Sequence, residues 1–434
     1  MDVSVWGAGS AGLLSALTLR KFNPDFNITI YKDPNVPIIP VGESTVPFFR
    51  TLLFGQMKLD YEKFISMVKP VTKWGTNYSW GENKFHFTLF EIFDMWNNTK
   101  HKQQGFYIGY PYGHCRESHN MINNEGQFEI ADSSAFHLEK NRFEDFLLSE
   151  SDRLGLKVVD KPVDSVEYDG ESIKSVNNGI TSDFYVDCTG FNSKLSKQEK
   201  VDYSDVLLTN SALYGVKDRD EETIRPCTMA TSLDAGWLWE IDHLDKIGYG
   251  YVYSDKHSTK EQASKEMFAK YGYTPTGEIK FTPYRRDKQW VDNCVTIGNS
   301  AGFIEPLEST SLLIIGAQAL ELAKALLVDK NEYIDYYNNF FSKFWDNTRD
   351  HISFSFILNK THKTKFWNDY NKIPINGVPK IVMEHYKKFY ADNNFLGRKD
   401  IVYSEGNMFG FEGNICKLIG NRVPHNCEKT IYSY

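Results

Sequence analysis

Val3-Ser-Val-Trp6, then Gly7-Ala-Gly9-Ser10-Ala11-Gly12, then Leu13 to Lys21: an apolar run, a glycine loop and an amphipathic segment open the chain. The apolar run reads as a buried strand and the amphipathic segment as a helix. A second strand is expected at Ile28 to Tyr31. Strand, G-x-G-x-x-G, helix and strand in that order form the context a dinucleotide-binding fingerprint requires. Gly7 permits the turn, Gly9 lets main chain approach a pyrophosphate, and Gly12 lets helix and strand pack closely. A ribose-binding acid usually closes the second strand. Here Lys32 stands about there and Asp33 follows it, so either Asp33 works from a shifted register or the ribose is held otherwise.

Further along, Val41-Gly42-Glu43-Ser44-Thr45 reads either as a small-residue loop facing a flat cofactor or as an ordinary turn before a helix at Pro47 to Phe54. Residues 60 to 135 are aromatic-rich, with poor helical period, and read as short strands and loops. Lys73, in Val71-Thr-Lys73-Trp-Gly75, is either a snorkelling surface residue or a lysine drawn into a pocket. Phe136 to Leu154 reads as one helix, stopped by Gly155. Leu156 to Val159, Val163 to Tyr168 and Ile173 to Val176 read as a β-meander. Asp183 to Gly190 returns the chain to the first sheet. Residues 205 to 284 are strand-like, and alternation puts Trp237, Trp239 and Ile241 on one face, as core or as a wall beside a cofactor.

Gly298 to Ser311 reads GNSAGFIEPLESTS between an apolar strand, Cys294 to Ile297, and an apolar helix, Leu312 to Leu327. Gly298, Asn299 and Gly302 supply a small-residue turn, and Ser309 or Thr310 is an N-cap candidate. A helix N-terminus in this position aims main-chain N–H groups at an anion. Residues 331 to 434 read as mainly helical, with a loop-like end from Gly406. One interwoven unit is expected, of α/β class and α+β overall. A Rossmann-type core would come from about 1–50, 136–205 and 285–330. Substrate-side insertions would fall at about 51–135 and 206–284, within a 1–330 body, and 331–434 would be a helical C-terminal part completing the pocket.

The 434 residues suffice for a large core. A net charge of -8 without a long basic run argues against nucleic acid or an anionic membrane as partner. Thirty Phe, 25 Tyr and 9 Trp make an aromatic pocket easy to build. Six scattered cysteines show no metal-ligand spacing and no disulfide framework, so no metal is expected. Neither a signal peptide nor a membrane-spanning run is read, which fits a cytoplasmic setting.

In order along the chain, the glycine loop, Val41 to Thr45, Lys73 in its Thr-Lys-Trp-Gly setting, Phe136-His-Leu-Glu139, Asp187-Cys-Thr-Gly-Phe191, Gly236-Trp-Leu-Trp-Glu-Ile241, Gly250 to Ser254 and Gly298 to Thr310 together resemble the flavin-dependent halogenases typified by the tryptophan halogenases. Three departures stand out. Asp242 replaces the proline that usually follows W-x-W-x-I, Ser311 replaces the glycine that commonly follows E-S-T, and the C-terminal end looks short. The last feature reads as a short member of the family, phage-encoded in one reading.

The resemblance implies a Rossmann-type FAD-binding sheet of the flavin monooxygenase and halogenase type. It implies FAD used as FADH2 from a separate flavin reductase, oxygen, and a halide ion: chloride, bromide or iodide. The product of these, hypohalous acid, passes to Lys73 and on to a small electron-rich arene of indole, phenol or pyrrole type. Lys73 would hydrogen-bond the acid or form a haloamine, and Glu308 would orient the electrophile and take the arene proton. Glu305 is assigned a structural part. Gly7, Gly9, Ser10, Ala11, Gly12, Asp33, Gly42, Glu43, Ser44, Thr45, Gly298, Asn299 and Gly302 would hold FAD. Thr310 and Ser311 would bind the halide, and Trp237, Trp239 and Ile241 would separate flavin from arene. A homodimer is among the assemblies expected. The rival readings are an FAD-dependent aromatic monooxygenase and a non-catalytic flavin-binding relative.

Overall fold

A computed structural model describes residues 1–36, 42–88, 134–220, 224–328, 330–388 and 408–424. Val41, most of the aromatic-rich insertion (89–133), Cys115 and Cys427, and parts of the C-terminal stretch (389–407 and 425–434) lie outside them. Contacts divide the chain into two units of three segments each. The first is Met1–Pro70, Leu138–Tyr203 and Thr282–Trp345; the second is Val71–His137, Ser204–Phe281 and Asp346–Tyr434.

The first unit is built on a six-stranded sheet in the order Trp290–Val291, Cys294–Thr296, Phe184–Asp187, Asp2–Trp6, Asn27–Lys32, Lys157–Asp160. All pairs are parallel except the edge hairpin of Trp290–Val291 with Cys294–Thr296. The inner strand Asp2–Trp6 is buried from Val3 onward, as a strand covered on both faces must be. The helix Ser10–Phe22 begins inside the glycine loop and packs against Lys140–Arg153 and Ser311–Ala325. Asn23 ties its end to the last of these, donating from Nδ2 to the Ala323 carbonyl at 3.1 Å. This is the Rossmann-type sheet expected from the opening stretch.

The second unit holds a seven-stranded sheet in the order Gly277–Lys280, Ser211–Asp218, Lys246–Tyr253, Gly236–Asp242, Cys227–Leu233, Gly75–Trp80, Asn83–Thr88. Its strands are antiparallel except Cys227–Leu233 beside Gly75–Trp80. Aromatic rings lie across glycines of neighbouring strands. Trp239 lies over Gly250, where an added Cβ would stand 2.6 Å from its Nε1. The C-terminal part is helical, with Lys365–Tyr370, Gly377–Lys388 and Gly410–Gly420.

Five local expectations are corrected, one being the helix Lys260–Tyr271 within the strand-like stretch 205–284. Phe136 to Leu154 is not one helix: Ala135–Leu138 is a strand antiparallel to Val71–Lys73, and the helix starts at Lys140. Four fully buried residues in succession suit a strand enclosed on both faces. Lys157–Asp160 joins the parallel sheet instead of a meander, leaving only the hairpin of Val166–Asp169 with Ser172–Val176. Tyr61–Val68 is a helix within the stretch read as strands and loops, with Asp60 Oδ1 accepting from the Lys63 N–H at 2.9 Å. Gly410–Gly420 is a helix within the loop-like end, where its apolar residues find the strand Asn83–Thr88 to cover.

Candidate active site

In the first unit, three parallel strands end side by side, at Trp6, Asp187 and Thr296, and each runs into a small-residue turn. Ligands of open α/β sheets bind outside such strand ends. The turns nest. Gly7 takes φ of +110°, and its N–H donates to the Tyr31 carbonyl at 2.8 Å. A Cβ on Gly7 would lie 2.2 Å from the Cys188 carbonyl oxygen, and one on Gly298 would lie 2.8 Å from Ala11 Cβ. Ala11 and Gly298 are therefore neighbours, which brings two distant candidate segments to one place.

Asp187 organises this place, and it was not singled out from sequence as a site residue. It is fully buried. Its Oδ1 accepts from the Thr189 N–H at 2.9 Å and the Ser300 hydroxyl at 3.0 Å. Its Oδ2 accepts from the Ser193 hydroxyl at 3.0 Å and the Leu195 N–H at 2.9 Å. Asp187 thus stitches the second turn to the third. The available signal was an acid closing an apolar strand ahead of Cys188-Thr-Gly190.

Around the first helical turn, Ser10 Oγ donates to Glu144 Oε1 at 3.3 Å. Lys140 Nζ lies 3.4 Å from Glu43 Oε1 and 4.0 Å from Glu144 Oε1. This joins Glu43, and with it Gly42, Ser44 and Thr45, to the glycine loop. Burial holds the Glu144 carboxyl above the usual carboxylate range, with Glu43 adding to the shift and Lys140 opposing it. Asp33 sits just past the strand Asn27–Lys32, accepts from the Asn35 N–H at 3.0 Å, and ion-pairs with Lys194 at 3.6 Å. Tyr284 donates to the Asn299 carbonyl at 2.6 Å, and Gly302 pairs with Arg285.

Glu308 closes a tight turn, Pro306–Glu308, and is 5% exposed. Glu305, fully buried, caps that turn by accepting from the Leu307 N–H at 3.1 Å. Ser309 takes the left-handed conformation at φ 58°. Thr310 is the N-cap, though its side chain makes no cap hydrogen bond, and Ser311 is the first residue of the 15-residue helix. The left-handed turn thus falls on Ser309, and Ser311 has an ordinary helical place, so serine in place of glycine costs no strain there.

In the second unit, Lys73 ends the short strand Val71–Lys73 and is 1% exposed, which removes the snorkelling reading. Trp237, Trp239 and Ile241 lie on Gly236–Asp242, a strand buried along its whole length. Asp242 closes that strand at 1% exposure and is neutralised by Arg225. The Arg225 Nη2 donates to Asp242 Oδ1 at 2.6 Å and its main-chain N–H to Oδ2 at 2.8 Å. Arg225 also reaches Glu240, which accepts from the Tyr273 hydroxyl at 2.6 Å. Asp242 is therefore half of a closed ion pair. Arg225→Met should destabilise the protein by about 3–5 kcal/mol, because it leaves a buried carboxylate alone. Arg225→Met/Asp242→Asn should recover most of that loss, read as urea midpoints.

Among the described residues no helix is long and apolar enough to cross a membrane, and no group of three metal-binding side chains gathers. Cys188, Cys227, Cys294 and Cys416 are in no disulfide, and burial pushes the Cys188 and Cys294 thiols up.

The first unit holds a Rossmann-type strand-end site of nested glycine turns, and the second holds a buried Lys73 and, on a separate sheet, the tryptophan strand; these are features of a flavin-dependent halogenase. The chain belongs to the tryptophan halogenase family, whose profile matches residues 2–432, and is an enzyme of that family. It is 27% identical over 414 residues to the tryptophan 7-halogenase RebH of Lentzea aerocolonigenes, covering 84% of this chain and 78% of RebH. The structure of MibH, a tryptophan 5-halogenase, superposes with a TM-score of 0.85 at 26% identity, covering 98% of this chain and 86% of MibH. BrvH, a flavin-dependent halogenase from Brevundimonas sp. BAL3, matches in fold with a TM-score of 0.80 at 24% identity over 98% of this chain and 90% of its own. A phage origin finds no support in these relatives. The family uses FADH2, halide and oxygen, and pairs with a flavin reductase and an aromatic substrate.

Proposed function

We propose that this enzyme halogenates a small electron-rich arene, using FADH2 from a separate reductase, oxygen and a halide. The observation that carries the reading is that Lys73 and Glu308, the two side chains the family chemistry needs, are both present and both buried, at 1% and 5% exposure. The nested glycine turns support FAD as cofactor. The Gly7 to Gly12 main chain and the N-terminus of Ser10–Phe22 suit a pyrophosphate. Bound there, reduced FAD would supply the two electrons that let oxygen oxidise halide to hypohalous acid.

The chain's own residues then divide the work. The main-chain N–H groups at Thr310 and Ser311 hold the halide at the start of their helix. Lys73 takes up the hypohalous acid away from water. Glu308 orients the electrophile and accepts the proton that the arene releases. Trp237, Trp239 and Ile241 wall the flavin from the arene, which keeps oxygen transfer from competing. Two of the named relatives, RebH and MibH, are tryptophan halogenases, so indoles lead the candidate arenes, with phenols and pyrroles behind them.

The test is mass spectrometry on an arene panel with each halide under supplied FADH2. Halogenated products are expected, and Glu308→Gln should lower their rate roughly 10²–10³-fold, because an amide keeps the shape and loses the base. Hydroxylated products without halogenated ones would establish the monooxygenase reading instead. Flavin binding without any product would establish the non-catalytic one.

A further inference from the structure

The helix Ser10–Phe22 supplies no anion of its own at its positive end. Gly9, its N-cap, has no side chain, and the first turn carries no acid. A carboxylate from a second helix stands in. Glu144, on Lys140–Arg153, is buried, and its Oε1 accepts from the Ser10 hydroxyl at 3.3 Å. A Cβ built on Gly9 would lie 3.6 Å from the same oxygen. Glu144 therefore sits where a helix N-terminus favours negative charge. It also stands beside the glycine at which a dinucleotide fingerprint receives a pyrophosphate.

The groups that face Glu144 are Ser10 from the first helix, Glu43 from the strand Glu43–Ser44, and Lys140 one turn earlier on its own helix. Lys140 Nζ is nearer to Glu43 Oε1, at 3.4 Å, than to Glu144 Oε1, at 4.0 Å. Burial is the largest influence on Glu144 and favours the neutral carboxyl. Lys140 opposes it, Glu43 adds to it, and the Ser10 main-chain N–H and hydroxyl oppose it, with the balance above the usual carboxylate range. With both acids ionised, two carboxylates share one ammonium and a negative charge is left over. Bringing a second anion alongside makes that leftover charge costlier, and a proton on Glu144 removes it.

We propose that Glu144 is an internal stand-in for the pyrophosphate of FAD, and that it takes up a proton when the cofactor binds. This rests on the reading of the nested turns as the FAD site. The Ser10 hydroxyl has a single proton, which is committed to Glu144 while that carboxylate is ionised. Once protonated, Glu144 donates to Ser10 Oγ, and the Ser10 proton turns to the incoming oxyanion. Lys140 stays with Glu43, and the cluster of Glu43, Lys140 and Glu144 becomes neutral. The proton comes from solvent, so FAD affinity is linked to pH. Affinity should be constant where Glu144 of the free protein already holds its proton. Above that point it should fall by up to about tenfold per pH unit, over an interval that begins above the usual carboxylate range. A pyrophosphate diester keeps its charge throughout, so the slope belongs to the protein.

Calorimetric titration of FAD into the full-length protein near neutral pH, in buffers of different ionisation enthalpy, counts the protons. Uptake approaching about one proton per FAD is expected, with Kd rising as pH rises. The infrared difference spectrum on binding should gain a protonated-carboxyl band. In Glu144→Gln the amide keeps the shape and is neutral at every pH. This variant should take up no proton, lack the new band and lose the pH dependence. In mildly alkaline solution it should bind FAD roughly tenfold more tightly than wild type. A merely structural Glu144 would move none of these readouts. FAD binding without proton uptake would overturn the proposal and leave the FAD site standing, as would uptake that persists in Glu144→Gln. Should that variant not fold, the wild-type proton count and carboxyl band decide, and absence of either overturns the proposal. Failure of FAD to bind wild type and variant alike at any pH would instead refute the FAD reading of the turns, and the proposal with it.

Discussion

Lys73→Ala should lower arene halogenation roughly 10³-fold or more while flavin oxidation and hypohalous acid release continue. Such a loss corresponds to about 4 kcal/mol of transition-state stabilisation. The expectation follows from where the residue sits. The strand-end turns and the Ser311–Ala325 helix belong to the first unit, whereas Lys73 ends the strand Val71–Lys73 of the second. Removing its side chain leaves the nested turns and the Ser311–Ala325 helix as they are. The measurement is halogenated product against trapped hypohalous acid, and equal losses in both would show that Lys73 acts earlier than assigned. Lys73→Arg sharpens the result. A guanidinium keeps its charge and its donors but is never a neutral amine in a protein. If Lys73 only hydrogen-bonds hypohalous acid, arginine should retain much of the activity. If the amine attacks, arginine should be as inactive as alanine.

The residues that were legible in the sequence are those whose task is set by the local chain. Gly7, Gly9 and Gly12 announced the first turn because strand, loop and helix are contiguous. Gly298 to Ser311 announced the third because an apolar strand and an apolar helix flank it. What stayed hidden depends on partners far along the chain. His137 shares a sheet face with Lys73 only because Ala135–Leu138 pairs with Val71–Lys73, and Phe136 to Leu138 read as the start of a helix. Lys157–Asp160 alternates like any meander strand, and nothing within it tells that its neighbour is Asn27–Lys32. The meaning of Asp242 lay in Arg225, a residue on no motif. One miss was avoidable. The helix Lys260–Tyr271 carries a capping box, Thr259 with Gln262, and a glycine stop at Gly272, all local signals inside a stretch read as strands.

The glycine loop supports a prediction that separates folding from flavin binding. Gly12→Ala should destabilise the protein by about 3–5 kcal/mol, the range of severe core substitutions. The new Cβ would lie 1.8 Å from the Gly7 carbonyl oxygen, which is main chain and cannot swing aside. Gly7 has little room to retreat, because even a Cβ built on it would stand 2.2 Å from the Cys188 carbonyl oxygen, and Cys188 is fixed through the Asp187 hydrogen bonds. Strain entering at Gly12 therefore passes through all three turns. Gly9→Ala differs in kind. Gly9 has φ of -82°, which any residue adopts, and its added Cβ would meet nothing closer than Glu144 Oε1 at 3.6 Å. Its stability should stay within about 0.5 kcal/mol of wild type. A methyl there would nevertheless stand where the proposed FAD site puts the pyrophosphate, so FAD affinity should fall. Urea unfolding without flavin and FAD titration of the folded protein read the two effects separately. A stable Gly12→Ala would show that the turns can shift apart. A Gly9→Ala protein that binds FAD as wild type does would place the pyrophosphate elsewhere than on the Ser10–Phe22 helix.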